Sequence, residues 1–214
     1  MKLVQDSSEL ATNLNERWIV LTGDGTSESN VIKSLCKIFN GERKQLCFAE
    51  LPHSFKQRTT INAFNFIRQS KERFFLCLLD KEHIRIDAKD EIGKHLQKKI
   101  KMTIEKIENV NDVILVEGKI GSRAIIILCV IFGSRKCIEE EIAHLIDLEF
   151  GVKIQLPEGE VSSKSLKRDI KRFLRERKLR IEELISEAAK ENLEKALPNI
   201  CIALQNIEAR IVLQ

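Results

Sequence analysis

Apolar residues fall into short unbroken runs alternating with stretches where they recur every three or four positions, a pattern that predicts strands alternating with helices. Arg17-Trp18-Ile19-Val20-Leu21-Thr22 is such a run; it stops at Gly23-Asp24-Gly25, and then Val31, Ile32, Leu35 and Ile38 recur at helical spacing. The prediction there is strand, glycine turn, helix. Gln45 to Ala49 predicts a second strand, and Thr59 to Arg68 a helix with Ile61, Phe64 and Ile67 on one face. Phe74 to Leu79 is apolar throughout, as a strand buried on both faces is, and it ends at Asp80. Further on, Ala88 to Ile107 reads as a charged amphipathic helix, Val113 to Val116 and Ala124 to Ile131 as strands, and Cys137 to Leu148 as a helix.

This order predicts an α/β fold whose largely parallel sheet is flanked by helices, with functional groups collecting at the carboxyl ends of strands. One α/β domain is expected over residues 1–150. Residues 151–214 read as a basic helical C-terminal region: a connector from Gly151 to Pro157, helical patterns from Ser162-Ser163 to about Leu204 broken near Pro198, and an apolar run, Ala209 to Leu213, suited to a last strand.

Composition narrows the class. Of 214 residues, 43% are hydrophobic and 32% charged, enough apolar surface for a core and against global disorder. The longest apolar run, Ala124 to Phe132, is far shorter than the roughly 20 residues a membrane helix needs, and the N-terminus lacks the apolar segment of a secretory signal. Cysteines 36, 47, 77, 129, 137 and 201 lie in or beside apolar runs without CxxC spacing, which suits reduced core thiols in a cytoplasmic protein. The histidines at 53, 83, 95 and 144 show no ligand spacing.

Two acidic clusters follow apolar strands. Asp24-Gly25-Thr26-Ser27-Glu28 occupies the first strand-to-helix turn, and Asp80-Lys81-Glu82 follows the most apolar strand. Converging carboxylates repel unless a cation lies between them, and hard oxygen donors suit Mg²⁺ or Mn²⁺. Ile19-Val20-Leu21 with Asp24-Gly25-Thr26-Ser27-Glu28 resembles the first motif of the Toprim domain, a strand followed by Glu-Gly-x-Thr/Ser-Asp/Glu and a helix. Phe75 to Leu79 with Asp80-x-Glu82 resembles its second motif, a strand followed by Asp-x-Asp. Ile138-Glu139 is similar to the Ile-Glu after the sheet in small stand-alone Toprim-like proteins related to the OLD (overcoming lysogenisation defect) nucleases. The resemblance covers about residues 17–150. It implies Mg²⁺-dependent phosphodiester chemistry of a nuclease-like kind, with Asp24 in place of the family's Glu as general acid/base or metal ligand and Glu28 as the motif's second acid, a further catalytic candidate. Asp80 and Glu82 would hold the cation and Glu139 would be an additional ligand. The first acid is one methylene shorter than the family's, and the acid at 82 one methylene longer. Glu139 also reads as a solvated acid of a first helical turn, favoured by the helix dipole. Val116-Glu117-Gly118-Lys119 is a rival for the first motif.

Between Ser163 and Arg180 nine Lys/Arg stand against two acids, a local balance of +7 in a chain whose net charge is only +4. Leu166, Ile170, Phe173 and Leu174 form an apolar stripe on the same helix, so its basic face is expected to stay wet. Lys164, Arg168, Lys171, Arg172, Arg175 and Lys178 are the candidate contacts to a nucleic-acid backbone, DNA or RNA. The alternative is a catalytically inactive nucleic-acid- or protein-binding module on the same fold. No membrane partner is expected, and self-association into a homo-oligomer stays open.

Overall fold

The computed structural model describes residues 2–4, 17–22, 26–38, 45–48, 60–84, 87–110, 112–133, 137–155 and 163–212. Seven strands form one mixed sheet: β1 (Lys2–Val4), β2 (Arg17–Leu21), β3 (Gln45–Phe48), β4 (Phe74–Asp80), β5 (Thr103–Val110), β6 (Val113–Ile120) and β7 (Arg123–Phe132). Their order is β1-β3-β2-β4-β7-β6-β5. The first five in that order run parallel, and β6 and β5 continue the sheet antiparallel.

Eight α-helices are described: α1 (Thr26–Ile38), α2 (Thr60–Gln69), α3 (Ala88–Ile100), α4 (Ile138–Phe150), α5 (Ser163–Glu176), α6 (Ile181–Glu187), α7 (Lys190–Ala196) and α8 (Pro198–Val212). Alternate residues of the strands feed two cores, as the two-residue strand period requires. Trp18, Val20, Leu76, Leu78, Leu128 and Val130 pack with α1 and α4–α8, whereas Ile19, Leu21, Phe75, Cys77, Leu79 and Ile127 pack with α2 and α3. Helices therefore cover both faces, and β4 is buried from Phe75 to Leu79, as its unbroken apolar run requires.

Three sequence expectations are corrected. The helix expected to run to Ile107 stops at Ile100, because Lys101 adopts the left-handed conformation and the chain re-enters the sheet as β5. Ile104 and Ile107, three apart, suggest a helix; in β5 a register shift between Ile104 and Lys106 lets both pack on the same core. Of the closing run, Ala209 to Val212 is no strand but the end of α8, while Leu213 lies outside the described residues; the first residue of α8 is Pro198, a position where the missing N–H costs nothing. Ile200, Ala203, Leu204 and Ile207 bury its inner face. The rival motif Val116-Glu117-Gly118-Lys119 lies inside antiparallel β6, not at a strand end, with Gly118 packed closely under β5.

Beyond Gly151, which caps α4 in the left-handed conformation, α5–α8 join the same core as α1 and α4. Leu166, Ile170, Phe173 and Leu174, the expected stripe of α5, are all buried there.

Candidate functional site at the carboxyl edge of β4

The chain leaves β2 for α1 on one face of the sheet and leaves β4 for α3 on the other, while β2 sits between β3 and β4. A crevice opens at such a reversal outside the carboxyl ends of the strands, and it is where open α/β sheets place ligands. Asp80, the last residue of β4, is at this edge, followed by the short 3-10 turn Lys81–His83. Asp24 lies outside the described residues, as do Gly23 and Gly25, and the side chains of Glu28 and His83 are likewise not described.

Asp80 is half-buried, and its Oδ1 accepts the backbone N–H of Ile138 at 3.1 Å. Ile138 is the first residue of α4, whose N-cap position holds Cys137, a residue that makes no side-chain cap. The carboxylate thus serves a helix terminus across the sheet, where unsatisfied N–H groups and the helix dipole favour negative charge. Glu82 is exposed on the turn. Lys81 reaches away to Asp112, Nζ to Oδ1 3.4 Å.

Glu139, one residue into α4, is not the solvated first-turn acid that the dipole alone would favour, being only 2% exposed. Its Oε1 lies 3.3 Å from Nζ of Lys167 on α5, and the Cys137 thiol hydrogen-bonds to it. Asp80 and Glu139 are brought to the same end of α4, where burial and the charges of both hold the Cys137 thiol protonated. Burial likewise pushes Cys36 and Cys201 up to about 12, so neither is a thiolate nucleophile at neutral pH.

Glu141 belongs to the same rim and was invisible as such in the run Glu139-Glu140-Glu141. Its Oε1 accepts the backbone N–H of Gly133 at 3.0 Å, and its Oε2 is enclosed with no hydrogen-bond partner. Burial pushes its pKa up to about 8; the Gly133 bond opposes the rise, and the charges of Asp80, Glu140 and Asp112 add to it. Gly133 has φ of 80°, and a Cβ on it would meet the Cys137 backbone, with the carbonyl oxygen 2.6 Å away. Only glycine lets the chain double back there and bring the start of α4 onto Asp80.

Among the described residues, no three His, Cys, Asp or Glu side chains gather closely enough to hold a metal ion. None of the helices is long and apolar enough to cross a membrane, again among those residues.

The nine basic residues of the α5 region divide. Lys167 pairs with Glu139, Arg180 caps α6 through Glu183, and Arg177 stacks on aromatic rings. Lys164, Arg168, Lys171, Arg172, Arg175 and Lys178, the six candidates, are all exposed. Arg168 and Arg172 flank Asp169 at 3.9 and 3.4 Å, and Lys178 takes the left-handed conformation just after the helix. Spacings of four, three and four residues put 164, 168, 171 and 175 on one stripe about 16 Å long. The Lys167 pair ties this helix to the acidic rim. No family model matches the chain, nor does any curated protein or solved structure.

Proposed function

We propose that the protein performs Mg²⁺-dependent phosphodiester chemistry on nucleic acid, in the manner of a Toprim-like nuclease. The observation that carries this reading is Asp80: a carboxylate at the end of a buried parallel strand, at the sheet's reversal point, fixed by the first N–H of α4. The rim offers hard oxygen donors, and the enclosed Glu141 Oε2 amid the charges of Asp80, Glu140 and Asp112 is an environment that favours added positive charge. Mg²⁺ commonly takes one or two carboxylates and completes its shell with water and substrate phosphate, so Asp80 with Glu82 is a suitable pair. Bound there, Mg²⁺ or Mn²⁺ would polarise a phosphoryl oxygen and acidify a water. In this reading the α5 stripe holds the phosphate backbone, Lys167 neutralises Glu139 so that the strand is not repelled from the rim, and Asp24 and Glu28 are the acids left to move protons.

A second reading, a non-catalytic nucleic-acid-binding module, draws on the lack of a three-ligand group among the described residues and on the exposure of the α5 stripe whatever happens at the rim. Calorimetric titration of Mg²⁺ and Mn²⁺ into the wild type and Asp80→Asn, followed by cleavage assays on both, separates the two. The enzymatic reading expects metal binding and metal-dependent cleavage that Asp80→Asn abolishes without unfolding the chain. Undiminished cleavage by Asp80→Asn removes that reading, and metal-indifferent binding without cleavage favours the module.

A further inference from the structure

Phe150 is the large hydrophobic residue left exposed among the described residues, 40% accessible at the last position of α4. Such a ring at a helix end would be unremarkable alone, but it is held in place. The Phe173 ring of α5 meets it edge-on at 5.5 Å between centroids. The Arg177 guanidinium, just past the end of α5, lies 4.1 Å from the Phe173 centroid and 5.3 Å from that of Phe150. Phe173 is buried in the core, so it anchors the pair, while Arg177 remains exposed. An aromatic ring held by a neighbour, with a planar cation beside it, needs little ordering to accept a flat partner.

Position adds a second argument. The same helix that supplies Phe173 carries Lys164, Arg168, Lys171 and Arg175 along its exposed stripe and Lys178 just beyond its end. A polyanion following those charges toward the end of α5 arrives at Arg177 and Phe150. From Ile138, which Asp80 holds, to Phe150 is one helix length, about 18 Å. The charge selects a phosphate backbone, and the exposed ring selects a strand whose bases are unpaired, since stacked bases in a duplex present no face to it.

We propose that Phe150, braced by Phe173 and Arg177, stacks a base of a single-stranded nucleic acid whose phosphates lie along the basic stripe of α5. This rests on the nucleic-acid reading of α5 and narrows it to single strands. Base–aromatic stacking tolerates any sequence, so the site confers preference for unpaired over paired bases rather than for particular bases.

The test is fluorescence anisotropy with a labelled twelve-residue oligothymidylate, the same backbone made abasic, and a duplex of equal length, against the wild type, Phe150→Leu and Phe150→Trp. Leucine keeps apolar contact with Phe173 but removes the stacking face; circular dichroism and melting check that both variants fold. The expected result is wild-type binding of oligothymidylate roughly tenfold tighter than of the abasic strand, an advantage abolished in Phe150→Leu and kept in Phe150→Trp. Equal wild-type affinity for all three probes, or an unchanged advantage in Phe150→Leu, overturns the stacking site while leaving the backbone-binding reading of α5 intact. Failure of the wild type to bind any of the three overturns both.

Discussion

The start of α4 and the outer face of α5 carry opposite charges side by side, and they are treated in opposite ways. At α4 the acids are drawn inward: Asp80 holds a helix terminus, Glu139 is buried against Lys167, and Glu141 holds Gly133 with one oxygen enclosed. On α5 the six candidate cations remain exposed, and the two ion pairs that Arg168 and Arg172 make with Asp169 are surface pairs, worth about 1 kcal/mol or less each. Charge that is built into a fold constrains stability, whereas solvated charge constrains only what can approach. Substitutions at the start of α4 should therefore register in stability and those on the outer face of α5 in binding.

The largest effect is expected where the rim depends on backbone geometry. Gly133→Ala places a Cβ on a residue with φ of 80° and against the Cys137 backbone, so either the turn opens or α4 shifts away from Asp80. A loss on the order of 4 kcal/mol is expected in urea denaturation. A wild-type midpoint would show that the rim is less tightly built than the contrast requires.

Next in size is the pH dependence set by Glu141. Its pKa in the folded protein, about 8, lies above the ordinary 4.5, so between these values the folded state keeps a proton that the unfolded chain has released. Its stabilisation is complete below about pH 4.5 and is lost as pH rises through about 8. Glu141→Gln retains an oxygen for the Gly133 N–H and cannot ionise. The variant should match the wild type near pH 4 and exceed it by roughly 3 to 4 kcal/mol at pH 8.5. Parallel stability curves for the two proteins from pH 4 to 8.5 would place the Glu141 carboxyl in water rather than in the rim.

Much of the parallel half of the sheet was legible in the sequence, because β2, β4 and β7 are dense apolar runs bounded by glycine or a charged residue and α1 and α2 repeat at helical spacing. Of the antiparallel addition, β6 was read in part, as Val113 to Val116, and β5 was not. A left-handed Lys101 and a register shift in β5 depend on pairing with β6, which no local window contains. The end of α8 misled for a related reason: Ala209 to Leu213 is apolar enough for a strand, and the helical state of residues 209–212 follows from continuity with the buried stripe from Ile200 to Ile207. At the site, Asp80 was legible as an acid after a buried strand, while the rest of the rim was hidden. The Lys167–Glu139 pair spans 28 positions, and the burial of Glu139 and Glu141 follows from how Gly133 folds the chain back onto Asp80. Phe150 carried no signal in the sequence, since only the packing of α5 on α4 places it beside Phe173 and Arg177.

The smallest stability effect, and the sharpest check of the contrast, belongs to α5. Lys171→Glu, Arg172→Glu and Arg175→Glu together remove one surface pair at 3.4 Å and the favourable cation in the last turn, while the buried stripe of Leu166, Ile170, Phe173 and Leu174 is untouched. Denaturation should move by about 1 kcal/mol or less. Binding of a single-stranded oligonucleotide should weaken by at least tenfold, and the slope of log affinity against log salt should become shallower by about 2, as expected when three phosphate contacts are lost at roughly 0.7 each. Weak binding with an unchanged salt slope would mean that the three residues do not meet phosphates. Unchanged affinity would assign the exposed charge of α5 to solubility alone and move any nucleic-acid surface elsewhere on the molecule.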